Sequence, residues 1–148
     1  MSPSSPGRPT ARMEEVGAQL SRLLASARAT TTEAAARFRP DLQPAAFHVA
    51  RWLLAFGPAR TGDIARGVAM DRSAVFRLVD ALRAAGLVRV DSDPDDRRAN
   101  LIHLTGAGRT QVTRALAWKG SVLHDRLVTW NDRDLKHLAR LLGKLNGP

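Results

Sequence analysis

One stretch constrains this chain more than any other. Asp93-Pro94-Asp95-Asp96-Arg97-Arg98-Ala99 lies between two short runs with strand character, Leu87 to Asp91 and Asn100 to Leu104. Pro and the Asp cluster give a tight polar turn, so the two runs form a hairpin with a charged tip. Directly before it, Asp71 to Ala85 reads as an amphipathic helix stopped by Gly86. A helix that leads straight into a charged hairpin is the order of elements in a winged helix-turn-helix. In that module the helix fits a major groove and the hairpin tip reaches the adjacent minor groove.

The other patterns surround this core with helices. From Glu14 to Phe38, apolar residues recur at three- and four-residue steps, with a thin Ala-rich side from Ala25 to Ala36, and Pro40 ends the run. A second helix starts near Pro44 and carries Phe47, Val49, Trp52, Leu53 and Leu54 to Phe56, where Gly57-Pro58 stops it. A short third helix spans Thr61 to Gly67, with Thr61 as its cap, and Asp71 caps the fourth. Beyond the hairpin, Thr105 caps a long helix running to about Thr129. Asn131 and Asp134 then open a last helix with an apolar stripe of Leu135, Leu138, Leu141, Leu142 and Leu145. The expected fold is mainly α with a small β-hairpin wing: a winged helix-turn-helix plus a helical dimerisation lobe. Residues 1–12 are expected to be a disordered arm, 13–40 and 106–148 the dimerisation lobe, and 41–105 the DNA-binding lobe.

Composition narrows the function. The 148 residues carry 23 Lys and Arg against 14 Asp and Glu, a formal charge of +9, which suits a polyanionic partner. The excess is not in the motif, however. Residues 60–98 hold eight Arg and seven Asp, so a nucleic-acid reading must rest on where the charges sit. With no Cys, disulfides, thiolate metal sites and thiol redox sensing are excluded. His48, His103, His124 and His137 have no metal-ligand spacing, and no Gly-rich phosphate loop or nucleophile–base set is present, so neither an enzyme nor a cofactor is expected. No apolar run is long enough to span a bilayer and the N-terminus lacks a signal-peptide core, so a cytoplasmic protein is expected.

At 100° per residue, Val75, Leu78, Val79 and Leu82 share one face of the fourth helix, the core face. Ser73 and Arg77 lie opposite, one turn apart, with Arg72 on a flank. Arg77 can grip guanine O6 and N7 with both prongs, and Ser73 can bond base or phosphate. The competing reading is a solvated surface helix in which Arg77 pairs with Asp80. Phe76 falls at the edge of the core face, where packing is its expected fate and contact with a thymine methyl the alternative. In the wing, Asp96 and Arg98 project to one side and can pair, while Arg97 points the other way, free for a minor groove or phosphate. The three Asp are expected to orient Arg and close the turn.

These residues resemble the MarR family of bacterial transcriptional regulators. The match runs through Asp71-Arg72-Ser73-Ala74-Val75-Phe76-Arg77-Leu78-Val79-Asp80-Ala81-Leu82, Gly86-Leu87-Val88, Asp93 to Ala99, and Leu104-Thr105-Gly106-Ala107-Gly108. The resemblance implies an obligate homodimer on a palindromic operator. It places Ser73, Ala74 and Arg77 at groove-facing positions and Arg98 with Asp96 in the wing. Phe76 departs from the family pattern, in which a small polar residue is usual. The full expected DNA-binding set is Thr61, Arg72, Ser73, Ala74, Phe76, Arg77, Arg97 and Arg98, with Asp96 orienting the wing. The resemblance also implies a small-molecule cleft between the lobes. Phe47, His48, Trp52 and Trp118 are candidate lining residues, with Arg28 or Arg51 as an anchor for an aromatic or anionic effector, and the protein is expected to be a ligand-responsive repressor. The alternative is a winged helix used for protein–protein contact, which the near-neutral balance of residues 60–98 keeps open.

Overall fold

The computed structural model describes residues 8–96 and 99–147. Six helices and one hairpin follow in order: α1 (Arg8–Phe38), α2 (Pro44–Phe56), α3 (Thr61–Val68), α4 (Arg72–Ala84), β1 (Val88–Ser92), β2 (Asn100–Leu104), α5 (Gly106–Leu127) and α6 (Asp132–Asn146). Helix α1 starts at Arg8, inside the segment expected to be disordered. Pro9 falls in its first turn, where a missing N–H costs nothing, and Ala11, Arg12 and Met13 are good helix formers.

Helix α2 is the hub. Its Ala46, Phe47, Val49, Ala50 and Leu53 are buried, and it touches α1, α3, α4, α5 and β2. Phe47 is fully buried and its ring meets Phe38 of α1 at 5.7 Å between centroids. Burial of one such side chain is worth about 1.5–3 kcal/mol. Ala34 and Ala35 of α1 are also buried, which is the close helix approach that the Ala-rich side permits. Helix α4 supplies Val75, Leu78, Val79 and Leu82 to the same core.

The caps at Asp71, Thr105 and Asn131 form as expected, each side chain accepting from the N–H three residues on. Thr61 does not cap α3. Arg60 occupies that position with extended backbone and no side-chain cap, and Thr61 is the first helical residue. The turn between α3 and α4 closes through Ala69, whose φ of 55° is left-handed and whose N–H bonds the carbonyls of Ala65 and Arg66.

The first strand begins one residue later than expected, because the Leu87 N–H is spent on the Leu82 carbonyl at the end of α4. The strands pair antiparallel with Val88 opposite Leu104, Val90 opposite Ile102 and Ser92 opposite Asn100. A third backbone piece joins them: Ala59 exchanges both hydrogen bonds with Ile102, at 3.2 and 2.9 Å. The Gly57-Pro58 stop therefore delivers Ala59 to the hairpin before α3 begins.

The wing is fastened to α5 by Thr105. Its N–H bonds the Leu87 carbonyl at 3.0 Å, and its hydroxyl donates to the Gly86 carbonyl at 2.7 Å while accepting from the Gly108 N–H at 3.0 Å. Gly86 makes this turn with φ of 71°. A Cβ at Gly108 would sit 2.0 Å from the Leu87 carbonyl oxygen, so the Thr-Gly-Ala-Gly sequence records a close backbone crossing. Among the described residues, no helix is long and apolar enough to cross a membrane.

Gly108→Ala should therefore destabilise the protein by about 1–3 kcal/mol, because backbone must move to admit the methyl. Gly120→Ala on the same helix, where an added Cβ meets nothing within 4 Å, should be neutral or slightly stabilising. Thermal unfolding of the two variants side by side checks both outcomes.

Candidate nucleic-acid interface

Helix α4 presents two chemically distinct sides. Val75, Leu78, Val79 and Leu82 are inside, while Arg72, Ser73, Phe76, Arg77 and Asp80 are exposed and Ala74 is half-buried. Ser73 does not hang free. Its hydroxyl donates to the Asp71 carboxylate at 2.6 Å, and the Ala74 N–H donates to the same oxygen at 2.8 Å. The Ser73 hydroxyl, then the Ala74 N–H and more weakly the Arg77 charge, hold the Asp71 carboxyl below its ordinary range. Asp71 thus orders the start of α4 and fixes the Ser73 rotamer.

Arg77 is not paired with Asp80. Among the described residues no carboxylate lies within ion-pair distance of Arg77 or Arg72. The solvated-pair reading of Arg77 is therefore replaced by an unpaired guanidinium. Phe76 is not packed in the core: it is 59% exposed. The expected packing fails because the core face is complete with four aliphatic residues, and one residue past Val75 the helix has turned 100° towards solvent.

At the wing, Asp93 is the one buried charged residue among those described. Its carboxylate accepts from the Asp95 N–H at 2.9 Å, which closes the turn, and from Arg60 at 2.6 and 2.8 Å. Arg60 immediately precedes α3, so this pair ties the wing to the helix-turn-helix. The Asp95 N–H first, and the Arg60 guanidinium second, hold the Asp93 carboxyl below its usual range. Asp96 is exposed, lies 3.9 Å from Arg60, and its carbonyl accepts the Ala99 N–H at 2.8 Å. Arg97 and Arg98 lie outside the described residues, and with them the Asp96–Arg98 pair.

The acids of residues 60–98 are thus largely engaged within the fold. Asp63 pairs with Arg66, Asp71 caps α4, Asp91 pairs with Arg89 and Asp93 with Arg60. What faces outward at the junction of α3 and α4 is a depression of about 400 Å³ lined by Arg60, Gly62, Asp63, Arg66 and Arg72. Thr61, half-buried, stands at the start of α3 beside it. Arg60 and Asp93 escape a sequence reading because they are 33 residues apart and neither belongs to a periodic pattern.

The expected cleft residues are dispersed. Phe47 is fully buried in the core and cannot line an accessible cavity, a correction forced by its packing on Phe38. Trp52 is half-buried, with its ring 5.0 Å from that of Phe56 and its edge against Gly67, where a Cβ would meet the indole Nε1 at 1.9 Å. Trp118 has one face covered by the Arg37 guanidinium, 4.2 Å from the ring centroid. Arg28 is exposed on α1. His48 is half-buried and Arg51 exposed on α2, and burial first, then the charges of Arg51 and Lys119, lower the His48 pKa. Lys119 was not anticipated; it comes from α5, and only the fold brings it to α2.

A helix-turn-helix with a three-piece wing and an exposed polar face on its second helix defines a winged helix-turn-helix DNA-binding protein. Residues 41–99 match the model of the MarR family. The chain is 29% identical over 107 residues to the helix-turn-helix transcriptional regulator YxaD of Bacillus subtilis, covering 72% of this chain and 74% of that one. In structure it is similar to YusO of Bacillus subtilis, with a TM-score of 0.81 at 21% identity over 95% of this chain and 98% of the other. It is also similar to BpsR of Bordetella bronchiseptica, whose DNA binding is regulated by 6-hydroxynicotinic acid, with a TM-score of 0.57 at 25% identity over 86% and 93%. Over residues 41–99 the chain is thus similar to the MarR family, and over most of its length to helix-turn-helix transcriptional regulators.

The Asp93 staple has a pH signature. A carboxyl held low in the folded state contributes its stability at all pH values above its ordinary value of 3.8, and loses it as the pH falls below that value. Asp93→Asn should lower stability at neutral pH and make the remaining stability less steeply dependent on pH below the ordinary carboxylate value. Denaturant melts of both proteins across that range check the sign; equal stabilities at neutral pH would contradict the staple.

Proposed function

We propose that this chain acts as a homodimeric, ligand-responsive repressor in the cytoplasm. Each protomer lays α4 in the major groove of one half of a palindromic operator and its wing in the neighbouring minor groove. The observation that carries this reading is the outward face of α4, where Ser73 is held by Asp71 and Arg77 has no carboxylate partner among the described residues. Arg77 is the base-reading group, gripping a guanine. Arg72, Thr61 and the Ala74 end of the helix address the backbone beside it, and Arg97 and Arg98 the minor groove. At the wing, burial of Asp93 against Arg60 takes one acid out of the exposed surface.

The dimer is supported by α6 and the first half of α1. No residue of α6 is buried, and Leu141 and Leu145 are 44% and 60% exposed. Met13, Val16, Leu23 and Leu24 of α1 are likewise exposed. One two-fold interface covers both stripes. For the effector, the best-supported site lies where α2 meets α5, at His48, on which the charges of Arg51 and Lys119 both act. A small aromatic anion there contacts both lobes and changes the spacing of the two α4 helices, which must match successive major grooves roughly 34 Å apart. Regulation of BpsR by 6-hydroxynicotinic acid, a compound of this class, supports the reading.

Arg77→Ala should weaken binding to the operator selected by the full chain by about 1–3 kcal/mol and flatten the ranking of operator variants. Arg72→Ala should weaken all sequences alike and reduce the slope of log K against log salt by about one. An unchanged ranking with Arg77→Ala would remove α4 from the major groove. Sedimentation at micromolar concentration should show a dimer, and 6-hydroxynicotinate or salicylate should release the operator from the wild type but not from Arg51→Ala/Lys119→Ala.

A further inference from the structure

Phe76 is an aromatic ring outside the core cluster of the described residues. It is 59% exposed on α4, and its helical neighbours are Arg72, Ser73, Arg77 and Asp80. The other large exposed apolar side chains lie elsewhere. They belong to α1, to α5 and α6 with the segment between them, or, for Phe56, to the end of α2, where the ring has Trp52 beside it. Phe76 is therefore not part of the apolar stripes that a dimer would cover. Nor is it there for the helix: aromatic residues form helices less well than Ala, Arg or Gln.

We infer that Phe76 is a specificity-determining residue that recognises the 5-methyl group of a pyrimidine, thymine in unmodified DNA, on the major-groove edge. This rests on the placement of α4 in that groove. The C5-methyl is the one apolar group that base edges display there, and an apolar side chain is its natural partner. The face that presents Phe76 also presents Ser73 and Arg77, so the ring arrives at the bases together with two hydrogen-bonding groups. Phe76 and Arg77 are adjacent on the helix and address neighbouring base pairs. The thymine read by Phe76 therefore lies within about two base pairs of the guanine read by Arg77. The chemistry is a methyl group leaving water for an aromatic face, and 5-methylcytosine shares it.

The test uses the full chain and the tightest duplex recovered from a randomised pool. Each thymine in turn is replaced by deoxyuridine, which removes the methyl and leaves base pairing intact. Burial of one methyl corresponds to about fourfold in affinity. In the wild type, one thymine per half-site should show a loss of about fourfold, near the guanine whose identity matters to Arg77. In Phe76→Ser that loss should vanish, and in Phe76→Leu, which stays apolar, it should persist. At the same position, a 5-methylcytosine·guanine pair should bind better than cytosine·guanine to the wild type and equally to Phe76→Ser. The inference is overturned if no thymine is sensitive to uridine, or if Phe76→Ser keeps the sensitivity. The groove placement fails separately: Arg77→Ala would then leave the ranking of operator variants intact. A ranking that depends on Arg77 but ignores every methyl sinks the Phe76 assignment alone.

Discussion

Burial of α2 sets the geometry of everything else. Its Ala46, Phe47, Val49, Ala50 and Leu53 form a surface against which α1, α3, α4, α5 and β2 all pack. Because close-packed interiors transmit displacement rather than absorb it, the attitude of α4 relative to α1 and α5 is fixed through this one helix. His48 and Arg51 sit on the less buried sides of the same helix. Under the proposed function, a ligand bound at these residues would act directly on the element against which α4 packs.

Two polar fastenings complete what the apolar core leaves loose. Thr105 locks the Gly86–Leu87 turn to the start of α5 with three hydrogen bonds, and the Arg60–Asp93 pair with the Ala59–Ile102 bridge locks the wing to α3. The same fastenings consume acids. In a segment with eight Arg and seven Asp, folding buries Asp93 against Arg60, pairs Asp63 and Asp91 with Arg66 and Arg89, and spends Asp71 on the cap of α4, while Arg72 and Arg77 face outward. Net charge along the chain was therefore a poor guide to the field at the interface, because it counts charges without their partners.

Much of this was legible in the residues. Periodicity and cap chemistry located all six helices, since apolar spacing and an Asp, Thr or Asn before a helix act locally. The hairpin followed from Pro94 and the Asp cluster. Thr61 was misread as a cap because a favourable residue type one position off looks the same in sequence. For Phe76, at the edge of the core face, packing was favoured over contact with a thymine methyl, because a wheel diagram shows only angle. Whether a residue about 110° from the core axis is covered depends on what stands beside the helix, and the neighbours of α4 leave Phe76 59% exposed.

By itself, then, the sequence determined the order of the elements, the apolar face of α4 and the polar residues opposite it, all of which depend on neighbours within a few positions. Tertiary structure alone decided the Arg60–Asp93 staple across 33 residues, the third wing piece at Ala59, the approach of Lys119 to His48, and the burial of Phe47. Each of these joins residues whose distance in the chain carries no information about their distance in space. The physical reason is that long-range contacts are selected by the packing of α2 as a whole, not by the propensity of any residue that takes part in them.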